Sequence, residues 1–117
     1  MTKVRFYQND QGEILGFQTV GHAGYAQSGE DIVCAGISAL VTNALNSIER
    51  FTKDDLEIQC DEAKGIIRMK MKGKRSKEAQ LLLQSLRLGL ESIEEEHGRY
   101  IKVSFKEVNR NGRIDRT

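Results

Sequence analysis

The sequence predicts an α+β fold in which a largely antiparallel sheet carries two helices in the order ββαββαβ. Two observations lead to this class. Five stretches alternate apolar and polar residues as strands do, and two longer stretches repeat apolar residues at helical spacing. The chain has 117 residues, of which 38% are hydrophobic, and this suffices for one small core. We therefore expect a single domain over residues 1–108 and a polar tail over residues 109–117.

The first two strands are expected to form a hairpin. KVRFYQ and EILGFQTV both alternate, and NDQG between them consists of typical turn residues. Pairing of Gln8 with Glu13 gives these strands one apolar face, which a helix must cover. The residues on that face are Val4, Phe6, Leu15 and Phe17.

The first helix is expected in CAGISALVTNALNSIERF, where apolar residues recur at helical spacing. Asp31 is the natural N-cap, and this start places Cys34 in the first turn. A loop over residues 21–33 joins the helix to the preceding strand, and its glycines give it conformational freedom.

LEIQCDEAKGIIRMKM predicts a second hairpin with EAKG as its turn. Pairing of Asp61 with Ile66 places the apolar residues of both strands on one face and opposite charges on the other. On the inward face, Cys60 is expected to pack as a small hydrophobic residue.

The second helix follows KGKRSKEAQ, with Ser76 or a neighbour as its cap and Gly98 placed to end it. YIKVSFKEV then alternates as the last strand. Leu81 and Leu88 lie seven residues apart and off the main apolar stripe of the helix. Exposed leucines at this spacing indicate a contact between helix faces, and hence a homodimer.

Charge and composition indicate which classes of partner the protein is not expected to bind. The net charge of +1 provides no overall field toward a nucleic acid. Residues 70–77, KMKGKRSK, are locally basic but lack the interleaved aromatic residues that stack on bases, so no direct nucleic-acid binding is expected. No stretch resembles a secretory signal or a membrane helix, and two cysteines fit a reducing compartment. We therefore expect a cytoplasmic protein with no membrane partner.

GHAGYAQSGEDIVCAG, residues 21–36, holds one of the two histidines and one of the two cysteines. In a first turn, the helix dipole favours the nucleophilic thiolate of Cys34, and unpaired N–H groups could hold an oxyanion. His22, on a flexible loop, can fold back and take the thiol proton. The alternatives are a packed cysteine and a loop histidine bonded to backbone or water, and the spacing by itself does not choose between them.

Other kinds of site fit this segment less well. A zinc site needs three or four ligands, and no CxxC or HxxxH spacing is present, so no metal or cofactor is expected. GHAGYAQSG is not the GxxxxGK[ST] of a phosphate loop, and its glycines indicate a segment that closes over a substrate. Asp31 either caps the helix or orients His22, and Ser38, one turn after Cys34, could hydrogen-bond within the site.

VGHAGYAQSGEDIVCAGISAL resembles the signature of the ribosomal-processing cysteine protease Prp family of Firmicutes and related bacteria, and the element order and length are similar over residues 1–108. The resemblance implies a cysteine endopeptidase that removes the N-terminal extension of large-subunit ribosomal protein twenty-seven, cutting after an aromatic residue. It also implies a homodimer, with Cys34 as nucleophile and His22 as general base. The supporting positions that it carries over are Gly21, Asp31 and Ser38.

Two other functions remain open from the residues alone. One is a non-catalytic ribosome-assembly factor, which would bind the same ribosomal protein through the loop and the basic strand. The other is a redox sensor that uses the thiol of Cys34. Cleavage of a peptide that spans the extension distinguishes the protease from both, because neither alternative breaks a peptide bond.

Overall fold

Five strands form one sheet, and two helices cover one of its faces. The computed structural model describes residues 1–21 and 28–108, with the side chains of the second stretch described from residue 31 onward. The elements follow the predicted order ββαββαβ. They are β1 (Thr2–Gln8), β2 (Ile14–Val20), α1 (Ser28–Phe51), β3 (Asp55–Asp61), β4 (Ile66–Lys72), α2 (Lys77–His97) and β5 (Ile101–Glu107).

The strand order across the sheet is β3-β4-β2-β1-β5. β1 and β5 are parallel, whereas the other neighbouring pairs are antiparallel. β2 is therefore parallel to β3, and β4 is parallel to β5, so each helix lies in a crossover between two parallel strands. The two crossovers start from strands that are antiparallel to each other, and they lead toward opposite edges of the sheet. Right-handed crossovers of this kind place both helices on the same face of the sheet, where α1 and α2 contact each other.

The core lies between the sheet and the helices. The Phe6 ring is near its centre, stacked on Phe105 at 5.5 Å between centroids and tilted against Phe17 at 5.8 Å. The guanidinium of Arg87 lies 4.1 Å from the centroid of the Phe105 ring and covers the core beside β5. The largest fully buried side chains are Phe6, Phe17, Ile14, Ile48, Leu83, Leu90, Ile101, Val4 and Val41.

The second hairpin has the register that the sequence predicts. Asp61 aligns with Ile66, and Glu57 aligns with Lys70 on the face away from the helices. The carboxylate of Glu57 also lies 3.9 Å from the ammonium of Lys72. The prediction is confirmed because a single register satisfies the alternation on both faces, and a slip of one residue would reverse every side chain.

The first hairpin departs from the predicted register. The pairing shifts between Tyr7 and Gln8, so that Gln8 aligns with Ile14, one residue later than expected. Leu15 is the extra residue of this bulge, and it remains half-buried while Ile14 is fully buried in the core. The expectation that Leu15 shares the inward face with Phe17 is wrong, because a bulge reverses the alternation at the inserted residue.

α1 begins earlier than the sequence predicts. It spans Ser28–Phe51, so Asp31 lies inside the helix and Cys34 lies in its second turn. The cap at Asp31, the first-turn position of Cys34 and a loop over residues 21–33 are therefore wrong. Apolar spacing reveals a helix only from its first buried residue, here Val33, and polar residues before that point add a turn without an apolar signal.

The expectation that no stretch resembles a membrane helix is wrong for α1. Over Asp31–Phe51 the mean hydropathy is 1.3, which meets the length and composition of a membrane-spanning helix. A helix that is packed in the core of a globular domain meets the same criterion. One stripe of α1 is buried in the same core as residues of the sheet and α2: Val33, Ile37, Val41, Ala44 and Ile48.

α2 and β5 occupy the predicted positions. Gly98 follows the last helical residue with a φ of −59°, so the turn to β5 does not use the left-handed freedom of glycine. Ile101 is fully buried at the start of β5. Val103 and Phe105 are partly buried and pack against the core, as their alternation predicts.

Ser76 caps α2 as predicted. Its Oγ accepts a hydrogen bond from the N–H of Ala79 at 3.0 Å. Asp54, just before β3, accepts hydrogen bonds from the backbone N–H of Ser76 at 2.8 Å and from its hydroxyl. Desolvation raises the pKa of Asp54, but these hydrogen bonds outweigh it and hold the pKa below its ordinary value. Asp54 therefore ties the start of α2 to the connection between α1 and β3.

We expect Ser76→Ala to lower the free energy of unfolding by about 1 kcal/mol, because the cap is lost. Asp54→Asn should also destabilise at neutral pH, since the ionised carboxylate is the favoured hydrogen-bond acceptor. That contribution is complete above the ordinary pKa of 3.8 and is lost as the pH falls through the lower pKa of the folded state. Urea unfolding over a pH series measures both effects. A destabilisation by Asp54→Asn that persists undiminished at acid pH would contradict this account.

Candidate functional site

Four of the five strand ends at one end of the sheet lie under one helix. β1 and β4 begin there, β2 and β3 end there, and the N-terminal half of α1 lies over them. A cleft of about 370 Å³ opens between these elements. Its lining includes Cys34 and Ser38 from α1, and Thr2, Gly21, Cys60 and Gly65 from the sheet and its turns.

Cys34 is held in the cleft by a contact with the sheet. The hydroxyl oxygen of Thr2 lies 3.6 Å from the Sγ of Cys34, within hydrogen-bond distance for sulfur, and either atom can donate. Thr2 is buried, whereas Cys34 is half-buried at the wall of the cleft. The thiol is therefore oriented by the first residue of β1 and remains accessible from the cleft.

The helix dipole has a smaller role at Cys34 than the sequence analysis assigns. The dipole effect falls off within the first turn, and the N–H of a second-turn residue already donates within the helix. The prediction that unpaired backbone N–H groups at Cys34 hold an oxyanion is therefore wrong, because the unpaired N–H groups of α1 belong to its first turn and precede Cys34. Activation of the thiol has to come from side chains that approach it from other elements.

Gly21 is next to Thr2 in space and precedes His22 in the sequence. Its N–H donates to the carbonyl oxygen of Gly65 at 2.9 Å, which fixes the end of β2 beside the β3–β4 turn. A Cβ at Gly21 would lie 3.4 Å from the hydroxyl oxygen of Thr2, so Gly21 is next to the residue that contacts Cys34. His22, the next residue in the sequence, lies outside the described residues.

The structure brings some predicted site residues together and leaves one apart. Ser38 is one turn after Cys34, is exposed, and lines the same cleft, as does Gly21. Asp31 is an exposed residue of α1 that does not line the cleft. Its predicted role as a cap is excluded by the helix start at Ser28.

Cys60 differs from its prediction. It is inward-facing by register, opposite Ile67, yet it is exposed. The expectation that it packs in the core is wrong, because β3 is an edge strand that the helices do not cover, and almost all of its residues are exposed. Cys60 instead lines the cleft opposite Cys34.

Thr2 is the site residue that sequence reasoning missed. A threonine at the start of a strand carries no local signal of a role in a site. Its importance follows from the parallel pairing of β1 with β5 and the antiparallel pairing with β2, which place it beside Gly21 and under α1. Pairings between distant strands of this kind cannot be read from a single stretch of sequence.

Comparison with known proteins identifies the family. The family described as "Cysteine protease Prp" matches residues 1–102. The chain belongs to the Prp family. It is therefore a cysteine protease, and the fold and the resemblance that the sequence indicated are confirmed.

Relatives in the Prp family match over nearly the whole chain. The Ribosomal processing cysteine protease Prp of Staphylococcus aureus (strain Mu50) is 34% identical over 106 residues, which are 91% of this chain and 100% of the relative. The crystal structure of S. aureus Prp in complex with a substrate peptide has a TM-score of 0.85 at 33% identity, with 91% and 100% of the two chains covered. A second S. aureus Prp structure, with a covalently linked product peptide, has a TM-score of 0.82 at 34% identity and the same coverage.

Gly65 offers a test of how the site is held. It has a φ of 64°, and a Cβ there would lie 2.8 Å from the carbonyl oxygen of Gly21. We expect Gly65→Ala to lower kcat/KM for peptide cleavage roughly ten- to hundredfold, because it displaces the residue that precedes His22. The left-handed backbone should also destabilise the variant by about 1–2 kcal/mol.

Gly73 supplies the matched control. It has a φ of 72°, but nothing lies within 4 Å of a Cβ built on it. Gly73→Ala should therefore show a similar loss of stability with little loss of cleavage. Equal losses of cleavage in the two variants, measured beside their thermal unfolding, would refute a specific role for the Gly65–Gly21 contact.

Proposed function

We propose that this protease removes the N-terminal extension of large-subunit ribosomal protein twenty-seven, with Cys34 as nucleophile and His22 as general base and acid. The observation that carries the proposal is the contact of Thr2 with the Cys34 thiol beside Gly21, the residue before His22. A half-buried thiol in a cleft, with a histidine attached to the adjacent strand end, meets the positional needs of a Cys–His pair. Relatives named ribosomal processing proteases support the substrate class.

The chemistry divides into acylation and hydrolysis. His22 accepts the thiol proton of Cys34, and the thiolate attacks the scissile carbonyl carbon and forms a C–S bond. The tetrahedral intermediate then breaks its C–N bond while His22 donates the proton to the departing amine. A water molecule, deprotonated by His22, attacks the thioester, and the acid product leaves as the thiol is restored. Neither a metal nor a cofactor takes part in these steps.

The cleft suits a peptide with an apolar residue at the cleavage point. Ile37 and Ile67 contribute apolar walls on either side of Cys34, from α1 and β4. Asp61 and Glu62 place carboxylates at the opposite rim, beside the uncovered end of β3. These walls support cleavage after an aromatic residue, because burial of a ring provides binding energy that is proportional to the apolar area removed from water.

The supporting residues have separate roles in this proposal. Gly21 holds the chain before His22 close to the sheet, where a Cβ would approach Thr2. Ser38 presents a hydroxyl to the cleft one turn beyond Cys34 and is placed to hydrogen-bond a bound peptide. Asp31, exposed on the first turn of α1, can act only through groups that reach it from outside the described residues, such as His22.

We further propose that the protein is a cytoplasmic homodimer. Leu81 and Leu88 are 71% and 67% exposed on α2 and are separated by two helical turns. Large apolar side chains in this arrangement are favoured at a contact between helices of two copies. The free, exposed thiol of Cys60 is compatible with a reducing compartment.

Substitution of the two proposed catalytic residues tests the reaction. A peptide spanning the extension from the same genome should be cut by the wild-type protein, and Cys34→Ser and His22→Ala should each lower kcat by a factor on the order of 10³ or more. Mass spectrometry of the quenched wild-type reaction should find the peptide acyl group on Cys34. Retained binding without any cleaved product from the intact protein would overturn the proposal in favour of an assembly factor.

Cys60→Ser is the matched control for Cys34→Ser, because both cysteines line the same cleft. The proposal requires that this variant still forms the acyl-enzyme on Cys34 and still releases product. Loss of cleavage in Cys60→Ser equal to that in Cys34→Ser would contradict the assignment of the nucleophile.

The dimer is tested by placing charge on α2. Leu81→Lys/Leu88→Lys should convert the protein to a monomer without loss of folding, because both side chains are exposed. Thr42→Lys/Asn46→Lys, at exposed positions on α1, is the matched control and should remain dimeric. Sedimentation equilibrium measures the outcome, and a wild-type monomer at all accessible concentrations would exclude the dimer.

A further inference from the structure

The face of the sheet that the helices leave uncovered carries an unequal distribution of charge. Side chains alternate along each strand, and those opposite the buried ones point away from the helices. We name this surface the open sheet face. Its acidic residues, Asp55, Glu57 and Asp61, all belong to the edge strand β3. The basic residues that dominate the rest of it are Lys3, Arg5, Arg68, Lys70, Lys72, Lys102 and Lys106.

The strand registers place like charges side by side. Lys3 on β1 aligns with Lys102 on β5, and Arg5 follows Lys3 on the same face of β1. Among the residues that the structure describes, these three side chains form no ion pair. Adjacent like charges lower the stability of a sheet. The arrangement therefore has no benefit for folding, and a bound anion would relieve the repulsion.

The carboxylates of β3 neutralise charge on the neighbouring strand β4 and not on β1 or β5. Glu57 lies 3.9 Å from Lys72 at the β4 side of the sheet, far from β5 in the strand order. Arg68, in the middle of the sheet, donates to the uncharged amide oxygen of Gln18 at 2.8 Å. The positive charge of the open sheet face is therefore carried by β4, β1 and β5, whereas β3 is acidic.

A trough crosses the open sheet face at Gly16. Tyr7 and Lys70 align with Gly16 on the two neighbouring strands. The trough has a volume of about 340 Å³, and Tyr7, Leu15 and Lys70 are among its lining residues. No side chain larger than hydrogen fits at Gly16, because a Cβ at this position would overlap the carbonyl oxygen of Met69. The result is a slot beside an aromatic ring, with Arg68 and Lys70 in its lining and Glu57 at the side of β3.

We propose that the open sheet face binds single-stranded nucleic acid, with a base in the trough against Tyr7 and phosphates on the surrounding cations. Lysine and arginine side chains provide the electrostatic attraction for phosphates, and an aromatic side chain on a sheet provides the stacking surface for an unpaired base. A duplex keeps its bases inside, so it cannot fill the trough. An acidic protein would also match the charge, and competition by polyglutamate tests that alternative.

The strand pairing brings together residues that the sequence does not show as a nucleic-acid site. The net charge of the whole chain is only +1, and the basic segment KMKGKRSK contains no aromatic residue, so neither feature predicts nucleic-acid binding. The open sheet face instead combines residues from β1, β4 and β5, which are far apart in the chain, and its aromatic residue comes from β1. This function does not depend on the proteolytic reaction, because none of these residues lines the cleft at Cys34.

Fluorescence anisotropy with labelled oligouridylate tests the proposal. The wild-type protein should bind at low salt, and the logarithm of the affinity should fall linearly with the logarithm of the salt concentration. Arg5→Gln/Lys102→Gln should weaken binding about tenfold and reduce that slope. Arg50→Gln/Lys53→Gln, which removes the same two residue types at exposed positions outside the open sheet face, is the matched control and should bind as the wild type does.

The base contact has its own variants. Tyr7→Leu should weaken binding roughly tenfold, the effect of one lost stacking contact, whereas Tyr7→Phe should restore it. Binding of oligothymidylate, a single-stranded DNA, shows whether the open sheet face prefers RNA to DNA. Equal binding assigns the face to either nucleic acid, and weaker binding assigns it to RNA through contacts to the 2′-hydroxyl.

Lys102→Glu separates binding from folding. It places a carboxylate beside Lys3 and removes the repulsion, so its melting temperature should be equal to or higher than that of the wild type while its affinity for the oligonucleotide falls. No binding by the wild-type protein at low salt would overturn the proposal. So would equal losses in the two double variants, or competition by polyglutamate as effective as competition by unlabelled oligouridylate.

Discussion

Two helices must cover one face of a five-stranded sheet, and this constraint determines where the rest of the molecule can act. A helix is about 10 Å wide and neighbouring strands are about 4.8 Å apart, so two helices cover roughly four strands. The edge strand β3 therefore remains uncovered at its inward face. The cleft at Cys34 lies between α1 and this uncovered strand. On the opposite face, which neither α1 nor α2 covers, lie the basic residues of the open sheet face.

The environment of the thiol is built from strand ends, because α1 starts too early for its N-terminus to reach Cys34. Thr2 contacts the sulfur, and Gly21 is held next to Thr2 by its hydrogen bond to the Gly65 carbonyl. Such a site is coupled to the sheet, since displacement of one strand end moves the others. The chain belongs to the Prp family, in which structures of an S. aureus relative contain a substrate peptide or a covalently linked product peptide.

Particular residues show how far sequence reasoning extends. The register of the second hairpin and the cap at Ser76 were predictable, because alternation on two faces and a side-chain hydrogen bond to the third residue beyond are local patterns. The inward position predicted for Leu15 is wrong because a bulge leaves the apolar spacing of the neighbouring residues unchanged. The cap predicted at Asp31 is wrong because an additional polar helical turn likewise leaves no apolar signal. For Cys60 the alternation predicts the correct face of β3 but not the exposure of the side chain, because exposure depends on whether a helix covers the strand.

The sequence by itself determined the element order, the apolar stripes of both helices and the one segment in which a histidine and a cysteine come close along the chain. These features arise from periodicity and spacing within about twenty residues, so they can be read before any contact is known. The tertiary structure decided that Thr2 touches Cys34, that Cys60 faces solvent, and that Lys3 lies beside Lys102. Each of these depends on which distant strands are neighbours and on which face the helices occupy, and strand pairing across the sheet is what sets both.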